Sequence, residues 1–276
     1  MNGFFKAALA LAIVALPAPA LAQTGTPPGK LVDLNGITLH YEERGQGEPL
    51  LLLHGFGMCG PGDWGEIADE LAKDYRVIMP DLRGHGWSTN PSNVFTMRQS
   101  AEDIRALLDR LGLKSVRAMG ISAGAMTLLH LATKYPDRLD AMVLIGGTTY
   151  FPEQARQVLE SAAAAPPRKE EMEFLGRCAS RGEPQVRALM GQFIAFRNSH
   201  EDMNLTPPYL ATIKARTLIV HGDRDEFFPV SMPVEMYRSI PRSQLWIVPN
   251  GDHVPIYGPR TAEFLRIVRS FMTAPK

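Results

Sequence analysis

Short apolar runs alternate with helical patterns along most of this chain. The runs have the length of buried strands and lie at residues 50–53, 76–79, 116–119 and 141–145. Segments with helical periodicity follow some of them, at residues 64–73 and 99–111. Upstream, Asn35-Gly36 separates two further strand patterns, residues 31–34 and 37–41, and predicts a hairpin turn. Alternating strands and helices need crossover connections, so the pattern predicts a parallel sheet buried on both faces.

This alternation is interrupted once. Residues from about 150 to 208 contain no strand-like run, and prolines divide their helical patterns. Strand and helix patterns then resume at residues 217–221, 230–239, 244–248 and from Thr261 onward. We therefore predict one α/β core, formed by residues 23–149 and 209–276, with residues 150–208 inserted into it as a helical cap.

The beginning of the chain has the pattern of an export signal. Lys6 is the only charged side chain in residues 1–22; an apolar run follows it over residues 7–16, and Ala-Leu-Ala stands at residues 20–22. We predict a secretory signal peptide that is cleaved after Ala22, and hence a secreted or periplasmic protein. A membrane anchor would need about 20 apolar residues, and prolines interrupt this run before that length.

Composition limits the possible partners. The 276 residues include 29 basic and 29 acidic side chains, without clusters of Lys and Arg. This balance argues against a nucleic-acid partner and against a polybasic membrane patch. A chain of this length buries enough surface to fold without disulfides. The two cysteines, Cys59 and Cys178, are compatible with one bridge between core and cap or with two free thiols, and their spacing leaves both open.

A candidate nucleophile lies at a sharp turn between a predicted strand and a predicted helix. Residues 120–124 read Gly-Ile-Ser-Ala-Gly; a strand pattern precedes them and an alanine-rich helical pattern follows them. A strand-to-helix turn of this kind exposes the central serine to substrate, and the glycines leave room for its crowded backbone. The motif alone also occurs in ordinary turns, but its position between a strand and a helix favours Ser122 as a nucleophile.

The candidate base is His253. A serine hydroxyl attacks well only when an imidazole takes its proton and a carboxylate holds that imidazole in the right tautomer. His253 lies in a loop after the last predicted strand, from which it can reach the edge of the sheet where the serine turn lies. The other histidines are less well placed, and we interpret His54 and His221, which end strands, as structural or pocket-shaping residues.

Five short motifs follow one another in a characteristic order. They are Leu53-His54-Gly55-Phe56-Gly57, Pro80-Asp81-Leu82-Arg83-Gly84-His85-Gly86-Trp87-Ser88, the turn at Ser122, Gly222-Asp223-Arg224-Asp225 and Gly251-Asp252-His253-Val254-Pro255. From about Leu31 to its end, the cap excepted, the chain resembles the α/β-hydrolase superfamily, especially its esterase, epoxide hydrolase and haloperoxidase-like branch. The resemblance implies the α/β-hydrolase fold: a mostly parallel, eight-stranded sheet flanked by helices, with an inserted helical cap.

The resemblance also implies the acid of the catalytic triad. Asp225 is placed like the acid of the Gly-Asp-x-Asp loop in similar hydrolases. Asp223 suits the turn itself, through hydrogen bonds from its side chain to the backbone. Asp252 is the neighbour of His253 in sequence, and adjacent loop residues seldom direct their side chains toward each other.

Two backbone groups match the family's oxyanion hole. They are the N–H groups of Phe56 and of Ala123, the residue that follows the nucleophile. In this interpretation they stabilise the negative charge that forms on the substrate oxygen during attack. Large apolar residues in and beside the cap are compatible with a substrate pocket or with ordinary packing; they are Met172, Phe174, Met190, Phe193, Phe196 and Tyr209.

These features predict a secreted, cofactor-free serine hydrolase that uses no metal and cleaves small or medium carboxylic esters through an acyl-enzyme. The expected partner is a small ester-like molecule, with no nucleic acid and no stable membrane span. The same triad also serves carbon–carbon bond hydrolases, lactonases, aminopeptidases and cofactor-free perhydrolases, and the motif does not separate them. A second class of hypothesis is a non-catalytic binding protein built on this fold.

Overall fold

A single twisted sheet forms the centre of the protein. The computed structural model describes residues 27–273, so the predicted signal peptide, residues 1–22, lies outside the described residues. The strands are β1 (Lys30–Leu34), β2 (Ile37–Arg44), β3 (Pro49–Leu53), β4 (Arg76–Pro80), β5 (Val116–Ile121), β6 (Leu139–Ile145), β7 (Arg216–Gly222) and β8 (Ser243–Val248). Their order across the sheet is β1-β2-β4-β3-β5-β6-β7-β8.

The sheet is mostly parallel. Strand β2 pairs antiparallel with both β1 and β4. From β4 to β8, neighbouring strands pair in parallel. The predicted architecture, an eight-stranded and mostly parallel sheet flanked by helices, is therefore confirmed.

Helices connect the strands and cover both faces of the sheet. They are α1 (Gly60–Leu71), α2 (Met97–Arg110), α3 (Ala123–Lys134), α4 (Glu153–Ala163), α5 (Lys169–Gly176), α6 (Glu183–Ala195), α7 (Pro207–Leu210), α8 (Ser231–Ser239) and α9 (Thr261–Thr273), with short 3-10 helices at Phe196–Asn198 and Gly258–Arg260. In the described part of the chain, no helix combines the length and apolar character that crossing a membrane requires.

The four consecutive leucines of β3 show why the central strands are apolar on both sides. Leu51 and Leu53 belong to one buried cluster, and Leu50 and Leu52 belong to the cluster on the opposite face. All four are fully buried. Because successive side chains of a strand point to opposite faces, a sheet with helices on both sides needs apolar residues at every position.

Two boundaries differ from the sequence prediction by more than two residues. Helix α1 begins at Gly60 rather than at residue 64. The Gly-Pro-Gly sequence there suggests a loop, but proline is tolerated in the first turn of a helix, where its missing N–H has no partner to lose. Strand β2 continues to Arg44 instead of ending at residue 41, because its last residues pair with β4.

The predicted cap segment, residues 150–208, lies between β6 and β7 and contains α4, α5 and α6. Few of its side chains are buried, and α5 has none. A disulfide between Cys59 and Cys178 joins the segment to the residue before α1. Further along, the Gln185 amide donates hydrogen bonds to the backbone oxygens of Gly84 and Gly86, at 2.8 and 2.9 Å. The cap is thus attached to the core loops at several points.

Candidate active site

Ser122 lies on a strained turn between β5 and α3. Its backbone has φ 49° and ψ −110°, in the positive-φ region that side chains other than glycine rarely adopt. Strain of this kind costs about 1–3 kcal/mol and persists where the surrounding structure enforces it. The residues around it are closely packed, because a Cβ added at Gly120 would lie 2.5 Å from the Gly124 carbonyl carbon and one at Gly124 would lie 2.5 Å from the Leu53 oxygen.

The structure brings Ser122, His253 and Asp225 together. The Ser122 hydroxyl lies 3.0 Å from Nε2 of His253, and Nδ1 of His253 lies 2.8 Å from Oδ2 of Asp225. With the Nδ1–H donating to the carboxylate, Nε2 is free to accept the serine proton. The other carboxylate oxygen, Oδ1 of Asp225, accepts hydrogen bonds from the N–H groups of Phe227 and Phe228 at 2.8 and 3.1 Å.

Electrostatics stabilise the charged forms of this His–Asp pair. Burial alone lowers the pKa of His253, but the charge of Asp225 and its hydrogen bond, followed by the charges of Glu226 and Asp252, raise it above its usual value. Burial raises the pKa of Asp225, whereas the charge and hydrogen bond of His253 lower it further, and the net pKa is below the usual value. Asp225 therefore remains an anion that favours the imidazolium formed during attack.

The two alternative acids occupy other positions. Asp223 is exposed, and its N–H donates to the Val248 oxygen at 3.2 Å within the turn. Asp252 is partly buried beside His253 and acts on it through its charge. Of the three candidates, Asp225 is the one whose carboxylate bonds to the imidazole.

The two predicted oxyanion groups belong to the first residue of α3 and to the loop after β3. Ala123 is the first residue of α3, where a backbone N–H has no partner within its own helix and the helix dipole is positive. The Phe56 N–H makes no hydrogen bond within residues 27–273. Its loop approaches Ser122 closely, since a Cβ placed on Gly55 would lie 3.6 Å from the Ser122 Cβ. Their catalytic role stays a prediction.

His54 and His221 have buried structural contacts. His54 donates from Nδ1 to the Gly55 oxygen at 2.7 Å, and its Nε2 accepts the Leu82 N–H at 2.8 Å. Burial lowers the pKa of His54, so the ring is neutral and both of its nitrogens are engaged. His221 lies 2.9 Å from the Phe228 oxygen through Nε2, which fits the interpretation that it shapes the loop.

Aromatic rings surround the reacting groups. Phe56 contacts Phe193 and Phe196 of the cap segment, with centroid distances of 5.8 and 5.1 Å. Tyr209, for which the sequence left pocket lining and ordinary packing both open, is 60% exposed. Phe227, which the sequence did not single out, lies 4.9 Å from the His253 ring. No periodicity marks a loop residue of this kind, because its position depends on the turn that Asp225 stabilises.

A second carboxyl group, also missed from the sequence, lies beside the site. Asp63 of α1 accepts the Gly55 N–H at 2.6 Å, next to the predicted oxyanion loop. Among residues 27–273, no group of three or more His, Cys, Asp or Glu side chains could hold a metal ion.

Known proteins match both the sequence and the fold. A model of the α/β hydrolase fold family matches residues 48–163. The serine hydrolase BPHL of Homo sapiens is 27% identical over 85% of this chain and 83% of that protein. A 2-hydroxy-6-oxo-6-phenylhexa-2,4-dienoate hydrolase of Comamonas testosteroni is 28% identical over 87% of this chain and 93% of its own. The structure of a thermophilic esterase from Thermogutta terrifontis covers 88% of this chain and 98% of its own, with 27% identity and a TM-score of 0.68.

The fold, the serine turn and these matches agree on one class of protein: the chain has the α/β-hydrolase fold, and its sequence matches support the α/β-hydrolase superfamily. It is a hydrolase, and the resemblance inferred from its motifs is confirmed at that level.

Proposed function

We propose that the protein is a secreted serine hydrolase that cleaves small or medium carboxylic esters through an acyl-enzyme. The continuous hydrogen-bonded relay from Ser122 through His253 to Asp225 carries this proposal. The predicted oxyanion donors, the N–H groups of Phe56 and Ala123, complete the set of groups that acyl transfer needs.

Each group has one task in the reaction. The Ser122 oxygen attacks the ester carbonyl carbon while Nε2 of His253 takes the hydroxyl proton. The tetrahedral intermediate places its negative oxygen at the two backbone N–H groups, and His253 returns the proton to the departing alcohol. Water, deprotonated by His253, then attacks the acyl-enzyme, and His253 gives that proton to the departing Ser122 oxygen as the acid is released. Asp225 stabilises the imidazolium in both halves and stays ionised.

The surroundings of the relay favour a neutral, apolar substrate. Phe227 lies against the His253 ring, and Phe193 of the cap segment packs on Phe56 of the predicted oxyanion loop. Glu226 and Asp252 add negative charge near His253. An uncharged ester bond with apolar arms fits these surroundings better than a substrate with its own carboxylate, which the acidic groups would repel.

Carbon–carbon bond hydrolysis is the second candidate. It is favoured by the similarity to the Comamonas testosteroni enzyme, which spans 87% of this chain. The dienoate substrate in that enzyme's name carries a carboxylate. This candidate ranks second because the acidic groups near His253 would repel that carboxylate. Lactonase, aminopeptidase and perhydrolase activities and a non-catalytic role remain the alternatives of the sequence prediction.

Secretion rests on two supports. One is the signal-peptide pattern in residues 1–22. The other is the Cys59–Cys178 bridge, since disulfides form and persist mainly in oxidising compartments.

The test is hydrolysis of p-nitrophenyl esters, from acetate to decanoate, by the wild type and by Ser122→Ala. Removal of a triad nucleophile typically lowers kcat by about 10⁴- to 10⁶-fold, and we expect a loss in this range. The chain-length optimum would report the size of the pocket. Measurement of 2-hydroxy-6-oxo-6-phenylhexa-2,4-dienoate cleavage in parallel separates the two candidates.

Faster cleavage of the dienoate than of every ester would overturn the ester proposal in favour of the second candidate. Turnover that Ser122→Ala retains would refute the serine mechanism. If no substrate is cleaved, a fluorophosphonate probe that labels Ser122 indicates a serine hydrolase of narrower specificity, and absence of labelling favours a binding protein.

A further inference from the structure

The carboxyl group of Asp63 lies beside the predicted oxyanion loop, which also approaches the nucleophile. Its Oδ2 accepts the Gly55 N–H at 2.6 Å, a short hydrogen bond across eight residues. A Cβ placed on Gly55 would lie 3.3 Å from this oxygen and 3.6 Å from the Cβ of Ser122. The carboxyl group and the nucleophile therefore flank the same glycine.

The Gly55 residue determines the direction of the Phe56 N–H. The Gly55 carbonyl and the Phe56 N–H belong to one planar peptide unit, so fixing one fixes the other. Nδ1 of His54 donates to the Gly55 oxygen at 2.7 Å, and the Met58 N–H donates to it at 3.3 Å. Asp63 holds the other side of Gly55 through its N–H. Together these contacts immobilise the peptide that presents the Phe56 N–H.

Asp63 also connects this loop to the loop that carries the base. The Tyr257 hydroxyl donates to the backbone oxygen of Asp63 at 3.0 Å, and Tyr257 lies four residues after His253. Two hydrogen bonds thus connect Asp63 of α1 to the predicted oxyanion loop and to the loop that carries His253. Such contacts are a recurrent way to hold reacting groups in a productive geometry.

The charge of Asp63 is sensitive to pH near neutrality. Burial raises its pKa to about 7, although the Gly55 hydrogen bond and the charge of His253 both lower it. The titratable groups that face it are His253 and Tyr257, and burial followed by the charge of Asp63 raises the pKa of the Tyr257 hydroxyl well above its usual value. An ionised carboxylate at this position would oppose the negative charge that develops on the substrate oxygen.

We propose, on the basis of the proposed serine hydrolase function, that Asp63 is a positioning residue of the oxyanion hole and that hydrolysis is fastest when its carboxyl group is neutral. The side chain does not touch the substrate in this proposal. It holds the Gly55–Phe56 peptide in position. When it is ionised, it also places a negative charge beside the oxyanion.

Two substitutions separate the contact from the charge. Asp63→Asn keeps an oxygen that can accept the Gly55 N–H but cannot ionise, whereas Asp63→Ala removes the acceptor. We expect kcat for a p-nitrophenyl ester to fall at least about tenfold in Asp63→Ala at the pH optimum of the wild type, with little change in KM, since donors of the oxyanion hole act on the transition state. Asp63→Asn should lose no more than about threefold at its optimum.

The pH profile is the readout that a merely structural role would not change. In the wild type, kcat/KM rises as His253 loses its proton and declines as Asp63 loses its own, which gives a bell-shaped curve. Asp63→Asn should keep the rising limb and lose the decline up to about pH 9. Asp69→Asn is the matched control, because Asp69 lies on the same helix with an exposed side chain. It should retain the wild-type curve.

An alkaline decline that persists in Asp63→Asn would overturn the role of the charge, and equal losses of kcat in Asp63→Asn and Asp63→Ala would overturn the role of the contact. The NMR shift of the Gly55 amide adds a test that needs no turnover: it should titrate with Asp63 in the wild type and in Ser122→Ala, but not in Asp63→Asn. A Gly55 amide that does not titrate near neutral pH contradicts the proposal.

If Ser122 of the wild type reacts with neither esters nor a fluorophosphonate, the proposed function is refuted. The proposed effect of Asp63 on the rate of hydrolysis is then refuted as well. A reactive wild type whose pH profile is insensitive to Asp63→Asn fails the Asp63 proposal alone. The two failures are therefore distinguishable.

Discussion

The serine turn and the cap segment are built in different ways, although they face each other across the site. Around Ser122, every residue of α3 from Ala123 to Ala132 is buried, and added methyl groups would collide with backbone atoms. Helix α5 of the cap has no buried residue, and the cap is fastened by a disulfide and by side-chain hydrogen bonds to loop carbonyls. The reacting groups thus belong to the rigid part of the molecule, and the residues that pack over them belong to a part that tolerates change.

The largest expected effect lies in the rigid part, at Asp225. In Asp225→Asn the amide can donate to Nδ1 of His253 and so favour the wrong tautomer, and we expect kcat to fall by about 10³- to 10⁴-fold. Because His253 must be neutral to act as a base, activity is lost as pH falls below its pKa. The carboxylate raises that pKa, so the acid limb of kcat/KM should also move to lower pH in the variant.

Asp223→Asn is the matched control for this prediction, since Asp223 is exposed in the same loop. Its kinetics should equal those of the wild type. A comparable loss in Asp223→Asn would show that the loop, rather than the hydrogen bond to His253, is what the substitutions disturb.

The disulfide joins the two regions and should give the next largest effect. Cys59 and Cys178 are 119 residues apart, and a bridge that closes a loop of this length stabilises by about 5 kcal/mol in the chain-entropy account. Reductant should therefore lower the thermal unfolding temperature of the wild type. The Cys59→Ser/Cys178→Ser variant should unfold at the lower temperature with or without reductant; a response of that variant to reductant would contradict this explanation.

The smallest predicted effects compare the same substitution in both regions. At Gly124 a new Cβ would lie 2.5 Å from the Leu53 oxygen, so Gly124→Ala should lower the free energy of unfolding by about 2–3 kcal/mol. At Gly191, inside α6, a Cβ would meet nothing within 4 Å. Gly191→Ala should therefore raise the free energy of unfolding by about 0.5–1 kcal/mol. Urea unfolding measures both, and changes of the same sign would refute the contrast between a rigid core and a tolerant cap.

Much of the fold and part of the site could be predicted because their signals are local. The leucines of β3 indicate a strand covered on both faces, and the Gly-x-Ser-x-Gly turn specifies its own backbone through steric limits on neighbouring residues. The boundaries of α1 and β2 could not be predicted as well. The local sequence does not show whether a proline stands in a loop or in the first turn of a helix. It also does not show that the end of a strand pairs with a strand from another part of the chain.

The sequence by itself determined the alternation of strands and helices in the core and the position of the serine turn, because periodicity, steric limits and short motifs act over a few residues. Asp225 as the candidate acid came from the resemblance to a family. Only the tertiary structure decided that Cys59 meets Cys178, that Phe227 lies against His253 and that Asp63 binds the Gly55 N–H. Each of these contacts joins residues whose separation in space depends on how the whole sheet, its loops and the cap pack, and burial then sets the pKa of Asp63.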